Sequence, residues 1–402
     1  MTNTWNRREF MEASGAAAGF LIATGYSPFS YAQNEKVRVA CIGTGGQGTF
    51  HIQTGLTGAE AIQIVAVCDV YRKHQEYAIG AAQRANAKIF HTKGDTDEEK
   101  QKIAAALSPK AYYDYKEMLS KEEIDGVIIS TPLYSHVPIA IDCLDAGKYV
   151  FCEKALAPSI EEGRRLLKKC AETKRWVQVG HQRRYNPKYN LGMWMVYNKG
   201  MLGRINHITA QWHRNHYWRR VLDDTYQLSD IEKQFIHTDL EHHLNWRLYS
   251  ETSGGLYTEL ATHQTDIANW FMRAVPSRVH SFAGLDYWRD GRTIDDNIVI
   301  AYEYDQKPSS EGFSIIEKRS KYQDENRINK SYTVRFVYTS ILANAKRGAS
   351  ELIQGDRGTL ELTEENCKFY PEEVVVQGNG PTSVTSGASR RVSTDAVTKG
   401  VD

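Results

Sequence analysis

Apolar and polar positions along the chain fall into two regimes. From Lys36 to Val179, short apolar runs alternate with stretches of helical period. Val37 to Ile42, Ile62 to Val67, Asp125 to Ser130, Tyr149 to Cys152 and Trp176 to Val179 are continuous runs of strand length, the pattern of strands buried on both faces. Gln75 to Asn86, His136 to Ala146 and Ser159 to Thr173 read as helices between them, and Gly147 stops the second. This alternation predicts an α/β unit with a doubly wound parallel sheet, whose ligands bind beyond the carboxyl ends of the strands. Past Gly180 the period changes. Arg204 to His213, Arg278 to Phe282, Asn297 to Tyr304, Thr333 to Tyr338 and Leu360 to Leu362 alternate as strands do, which predicts a large, mainly antiparallel sheet in an α+β unit. One helix, Leu256 to Met272, interrupts it. The expected division is residues 1–32, 33–180, 181–376 and 377–402: a leader, two folded units and a flexible tail.

Composition narrows the partners. With 402 residues, 25% charged and 41% hydrophobic, the chain can bury substantial cores, and a formal net charge of +1 gives no reason to expect nucleic acid or an anionic membrane. The six cysteines form no metal-type or redox-type pairs. Cys41 and Cys68 fall in expected strands and Cys143 and Cys170 in expected helices, so they read as buried reduced thiols. Lys93 to Lys102 and Gln306 to Asn329 read as charged, solvated insertions, and Gln377 to Asp402 has no period. At the other end Arg7-Arg8 precedes a modest apolar run, Ala13 to Thr24, too short to span a bilayer, and Ser30-Tyr31-Ala32 offers small residues at the positions a signal peptidase reads. The segment is similar to a twin-arginine export signal, with Gln33 as first mature residue and a periplasmic or otherwise exported product.

The first candidate chemistry lies directly after the first strand. Gly43, Gly45 and Gly48 stand at G-x-G-x-x-G spacing, with Gly46 and Gln47 inside the turn. The first glycine permits the tight turn, the second lets a pyrophosphate approach the backbone, and the third lets the next helix pack close. Asp69 ends the second strand about twenty residues later, where an acid accepts hydrogen bonds from the adenosine ribose. These features predict a Rossmann dinucleotide site that prefers NAD, while the adjacent Arg72 and Lys73 leave NADP open. An exported enzyme meets no obvious pool of free NAD, so the cofactor is expected to be held tightly and regenerated within the cycle.

Ser130-Thr131-Pro132, His136, Ala146-Gly147-Lys148 and Cys152-Glu153-Lys154 together resemble the glucose-fructose oxidoreductase, inositol dehydrogenase and rhizopine-catabolism family, Gfo/Idh/MocA. The resemblance spans Lys36 to about Tyr370 and implies an NAD(P)-dependent oxidoreductase. Thr131, Pro132, His136 and Glu153 are then expected around the cofactor, and Lys154 in the active site. Ala155 stands where the family has proline. Glu259 and His263 match the family's Asp-x-x-x-His element with glutamate for aspartate, and four-residue spacing makes them helix neighbours. The implied roles are His263 as base for a substrate hydroxyl, Lys154 as stabiliser of the alkoxide, and Glu259 as holder of the His263 tautomer.

Substrate contacts are expected from Arg184 and from Trp212, Trp218, Trp246 and Tyr249, because aromatic faces among polar donors suit a sugar, glycoside or cyclitol ring. Core packing explains the same tryptophans about equally well. His237, Asp239, Glu241, His242 and His243 lack the fixed spacing of zinc motifs, and no metal is expected. Two other readings share these residues. One is a glycoside hydrolase or lyase that uses bound NAD transiently in a redox-neutral cycle; the other is a non-catalytic nucleotide- or sugar-binding protein. An exposed face on the second sheet would favour a homodimer or homotetramer.

Overall fold

The computed structural model describes residues 36–56, 59, 61–90, 96–308 and 330–372. The expected leader, most of the Gln306 to Asn329 insertion and the expected tail lie outside the described residues. Strands β1 (Val37–Ile42), β2 (Ile62–Cys68), β3 (Lys110–Tyr112), β4 (Gly126–Ile129), β5 (Tyr149–Cys152) and β6 (Val177–Val179) form a six-stranded sheet in the order β3-β2-β1-β4-β5-β6. Every neighbouring pair is parallel. Helices α1 (Gly46–Phe50), α2 (Arg72–Phe90), α3 (Asp97–Ala106), α4 (Tyr115–Lys121), α5 (His136–Asp145) and α6 (Ile160–Thr173) connect the strands. The side chains of β1 divide between two separate cores: Val37, Val39 and Cys41 pack on one face, Ala40 and Ile42 on the other. Apart from Arg38, which pairs with Asp125, the strand is apolar throughout and is sandwiched on both sides, as its sequence predicts. The edge strand β3 has the burial pattern of a half-wet element, and its three residues carry too little apolar signal to be read in advance.

The second half opens with α7 (Pro187–Tyr197) and β7 (Ile205–His213). Short helices α8 (Asp230–Phe235) and α9 (Leu240–Leu244) follow, and α10 (Thr262–Met272) comes before β8 (Arg278–Gly284), β9 (Asn297–Gln306) and β10 (Tyr332–Ile341). The chain continues as β11 (Ala349–Gly355), β12 (Gly358–Leu362) and β13 (Cys367–Pro371). The seven strands run in the order β13-β12-β11-β7-β10-β9-β8, antiparallel except for the central β7–β10 pair. Ile298, Ile300, Tyr302 and Tyr304 of β9 and Val334, Phe336 and Tyr338 of β10 project to one face and pack with Ile267, Phe271 and Met272 of α10. The expectation of one interrupting helix is corrected, since α7, α8 and α9 accompany α10. Helix α7 is apolar on nearly all sides, so its period was invisible. The helix expected from Leu256 also begins irregularly, with a π turn over Tyr257–Ala261 ahead of α10.

All six cysteines are free thiols, and burial pushes the Cys41 thiol up to about 12. Cys41, Cys68 and Cys143 are buried as expected, and so is Cys152, whereas Cys170 and Cys367 are only partly buried.

Candidate active site

The glycine turn sits at the carboxyl end of β1, against the start of the β4–α5 connection. Gly43 has φ +80°, and a Cβ there would lie 2.6 Å from the Thr131 amide nitrogen. A Cβ on Gly48 would lie 2.0 Å from the Gly43 carbonyl oxygen. Both positions admit glycine alone, so the turn closes tightly enough for backbone to face a bound diphosphate. Asp69 ends β2 beside this turn. Its carboxylate accepts hydrogen bonds from the Thr44 amide at 2.7 Å and the Tyr71 amide at 2.9 Å, with His74 Nδ1 at 3.4 Å. Burial alone would raise the Asp69 pKa, but His74 and the two amides outweigh it and keep the acid below its ordinary value. A charged acceptor beside the glycine turn fits the ribose of an adenine dinucleotide. The two nearby cations are already engaged: Lys73 pairs with Asp223 at 2.5 Å, and Arg72 lies 3.8 Å from Glu76 and over the Tyr226 ring.

Glu153 and Lys154 emerge at the carboxyl end of β5. The Glu153 carboxylate receives His51 Nε2 at 2.7 Å and Gln47 Nε2 at 3.2 Å. Burial pushes this acid up, and the His51 contact, with help from the Lys154 amide, brings it below its usual value. The Lys154 ammonium donates to the Glu259 backbone carbonyl at 3.0 Å and stands 3.7 Å from its carboxylate. The Lys154–Ala155 peptide is cis, with alanine in the place of the family's proline.

His263, in the first turn of α10, is buried. Its Nδ1 has no partner among the described residues, and its ring meets Trp212 at 5.0 Å and His181 at 6.3 Å between centroids. Burial drives its pKa well below 6.5, and the Lys154, Arg183, His181 and Arg214 charges push the same way. The imidazole is therefore neutral at neutral pH and able to accept a proton. Gln47, Glu153, Lys154, Trp212, Trp218, Glu259 and His263 all line one cavity of about 980 Å³ between the two sheets.

Other expected site residues are placed differently. Glu259 does not hydrogen-bond His263. The π turn alters the spacing between them, and Arg247 Nε, 2.8 Å away, together with Lys154 draws the carboxylate aside. Both ring nitrogens of His136 face backbone carbonyls, of Ala155 and Thr131, each at 2.8 Å, which ties the β4 and β5 connections together and leaves no polar atom for a cofactor. Arg184 turns away to form a bidentate pair with Asp266 at 2.7 and 2.8 Å. Trp246 lies beneath the Arg247 guanidinium, and Tyr249 donates to Glu241 and stacks on His242. Arg184, Trp246 and Tyr249 thus do not line the cavity. Asp239, Glu241 and His242 bring ligand-type atoms within 4.8 Å of one another, but Asp239 caps α9 and also holds His242 Nδ1 at 2.8 Å. His51, Arg214 and Arg247 reach the cavity without having been singled out as site residues. For His51 a signal existed: Gln47 and His51 are four residues apart just after the glycine turn, and both point to Glu153.

Known proteins fit this geometry. The family profile described as "Oxidoreductase family, NAD-binding Rossmann fold" matches residues 37–181, and that described as "Oxidoreductase family, C-terminal alpha/beta domain" matches residues 198–394. The chain belongs to the Gfo/Idh/MocA oxidoreductase family. Among curated members of this family, inositol 2-dehydrogenase of Rubrobacter xylanophilus is 27% identical over 309 residues, covering 72% of each chain. A glycosyl hydrolase family 109 protein of Shewanella baltica is 24% identical over 273 residues, 63% of this chain and 52% of that protein. The structure of the WlbA dehydrogenase from Bordetella pertussis, in complex with NADH and UDP-GlcNAcA, superposes with a TM-score of 0.58 at 20% identity, covering 85% of this chain and 84% of that one. The Gfo/Idh/MocA fold, an NAD-binding first half and enzymatic oxidoreductase character therefore describe this chain.

Proposed function

We propose that this enzyme moves a hydride between NAD and a hydroxyl-bearing carbon of a sugar, glycoside or cyclitol. The observation that carries the reading is the convergence of Lys154 and a neutral His263 in one cavity at the carboxyl end of the parallel sheet. When bound, NAD accepts or returns the hydride. His263 takes the substrate hydroxyl proton as the carbonyl forms. Lys154 places its ammonium against the developing alkoxide. Glu259 positions Lys154 through its backbone carbonyl and, with Arg247, balances the charge of the site. Burial alone would raise the Glu259 pKa, and the Lys154 and Arg247 cations hold it below the usual range, so it stays a carboxylate. Trp218 supplies a face on which a ring can stack, while the Trp212 ring carries the Arg183 and Arg214 guanidinium groups.

A retained cofactor belongs to this proposal. Residues 217–245 cross from the second half onto the crevice. The buried Glu232 accepts the Arg72 amide at 2.9 Å, Lys73 pairs with Asp223, and Tyr71 meets the Tyr226 ring at 5.0 Å. These contacts strap the segment over the adenosine side. Export through the twin-arginine route, which carries folded proteins, completes the reading. The redox-neutral glycosidase cycle is the second reading, favoured by the same strap, because a trapped nucleotide must be regenerated where it sits.

The paired Phe282 and Val299 and the paired Ala301 and Val337 lie on neighbouring rungs of the outer face of the second sheet, with Phe282 80% exposed. That apolar strip supports a homo-oligomer.

Denaturing the purified protein and weighing the released nucleotide tests retention, and 340 nm absorbance of the holoenzyme against sugars and glycosides tests hydride transfer. Net NADH accumulation identifies a dehydrogenase. Aglycone release without net redox change identifies the second reading, and an empty, inert protein rejects both.

A further inference from the structure

Two of the four arginines that line the cavity have carboxylate partners among the described residues, and two do not. Arg219 is held by Glu241 and by Asp290. Arg247 gives its Nε to Glu259. Arg183, outside the cavity wall, donates to the Tyr189 hydroxyl at 2.9 Å and faces Glu351 at 3.3 Å. Arg220 has no ion pair among the described residues, but its Nη2 would lie 3.4 Å from a Cβ on Gly46, over the glycine turn where a pyrophosphate belongs. The cofactor accounts for that charge.

Arg214 has no such account. It follows β7 and lines the same cavity, with no ion pair or side-chain hydrogen bond among the described residues. Its guanidinium rests on the Trp212 ring at 4.6 Å, and that ring in turn meets His263. Burial lowers its pKa, with only partial relief from Tyr338 and Glu364. The Glu364 carboxylate lies 3.8 Å from Arg183, is 52% exposed and makes no ion pair with Arg214. A half-buried, unneutralised guanidinium is costly to keep, and its planar fork matches an anionic group in bidentate fashion.

We infer that the substrate is an acidic sugar whose anionic group is bound by Arg214, one aromatic ring away from His263. The inference rests on the proposed sugar-oxidising reading and adds its substrate class. A uronate carboxylate, a sulfate ester and a phosphate ester share the required chemistry. Arg214 thereby sets specificity while Lys154 and His263 address the reacting carbon.

The test uses the holoenzyme and follows tryptophan fluorescence during titration with D-glucuronate, glucose 6-sulfate, glucose 6-phosphate and D-glucose. At least one acidic sugar should bind tenfold or more tightly than glucose, with a preference that weakens as salt rises, and the tightest of the three names the anion. Arg214→Gln should bring the ratio near one, while Arg214→Lys should keep part of it. Acidic sugars that bind no better than glucose, or a preference that survives Arg214→Gln, would overturn the inference. An acidic sugar that binds through Arg214 but is never oxidised would instead reject the proposed function and leave this subsite standing.

Discussion

At the residue scale, the site sets Lys154 and a neutral histidine in the same cavity. Lys154 is held by the backbone carbonyl and carboxylate of Glu259, whereas His263 has apolar and cationic surroundings and an Nδ1 with no partner among the described residues. Lys154→Ala should lower the single-turnover hydride-transfer rate by about 10²–10³-fold, the usual cost of removing one preorganised electrostatic group. Nucleotide content, read by mass, should stay unchanged. The pH profile should carry the mark of His263. Its pKa is depressed below 6.5, so the active neutral form persists above that value and protonates only as pH falls further. The acid limb of kcat/KM should therefore lie below 6.5 and disappear in His263→Ala.

At the scale of elements, the proposed reading puts the glycine turn on one side of the nucleotide and the strap on the other. Gly48→Ala must push against the Gly43 carbonyl, and overpacking of that kind costs about 1–3 kcal/mol, so the purified variant should carry much less nucleotide. Glu232→Gln should speed nucleotide release about tenfold, because hydrogen bonds to a buried charged acceptor are among the stronger ones. Asp223→Ala should have less effect, since the Lys73 pair is solvent-screened. Stopped-flow release against excess free nucleotide checks both. The parallel strands and the glycine turn were legible because burial on both faces and tight turning leave few residue choices. Glu259 and His136 matched the resemblance in type, yet their side chains are held by partners far away in sequence. Arg247 pulls Glu259 off His263, and the Ala155 carbonyl occupies His136. The strap was unreadable for the same reason, since Glu232 has meaning only opposite the Arg72 amide.

At the scale of the whole molecule, the buried His136 and His263 and the partly buried His181 are all held below 6.5, chiefly by desolvation. As pH falls below 6.5 the unfolded chain takes up protons that the folded chain refuses, so folding stability is complete above that value and declines beneath it. Thermal unfolding followed between neutral and mildly acidic pH should show a falling Tm. The outer strip of the second sheet makes a separate prediction: Phe282→Glu should shift the holoenzyme towards a smaller species in light scattering while sparing hydride transfer. The central pair of that sheet, β7 with β10, joins Thr209 to Val337. The two strands at its middle are thus synthesised far apart, and such non-local pairing is slow to form. The parallel sheet closes within the first half of the chain and needs nothing that comes later. The glycine turn is complete in the chain before residues 217–245 emerge, so in the proposed reading a nucleotide can reach its seat during synthesis before the strap crosses it.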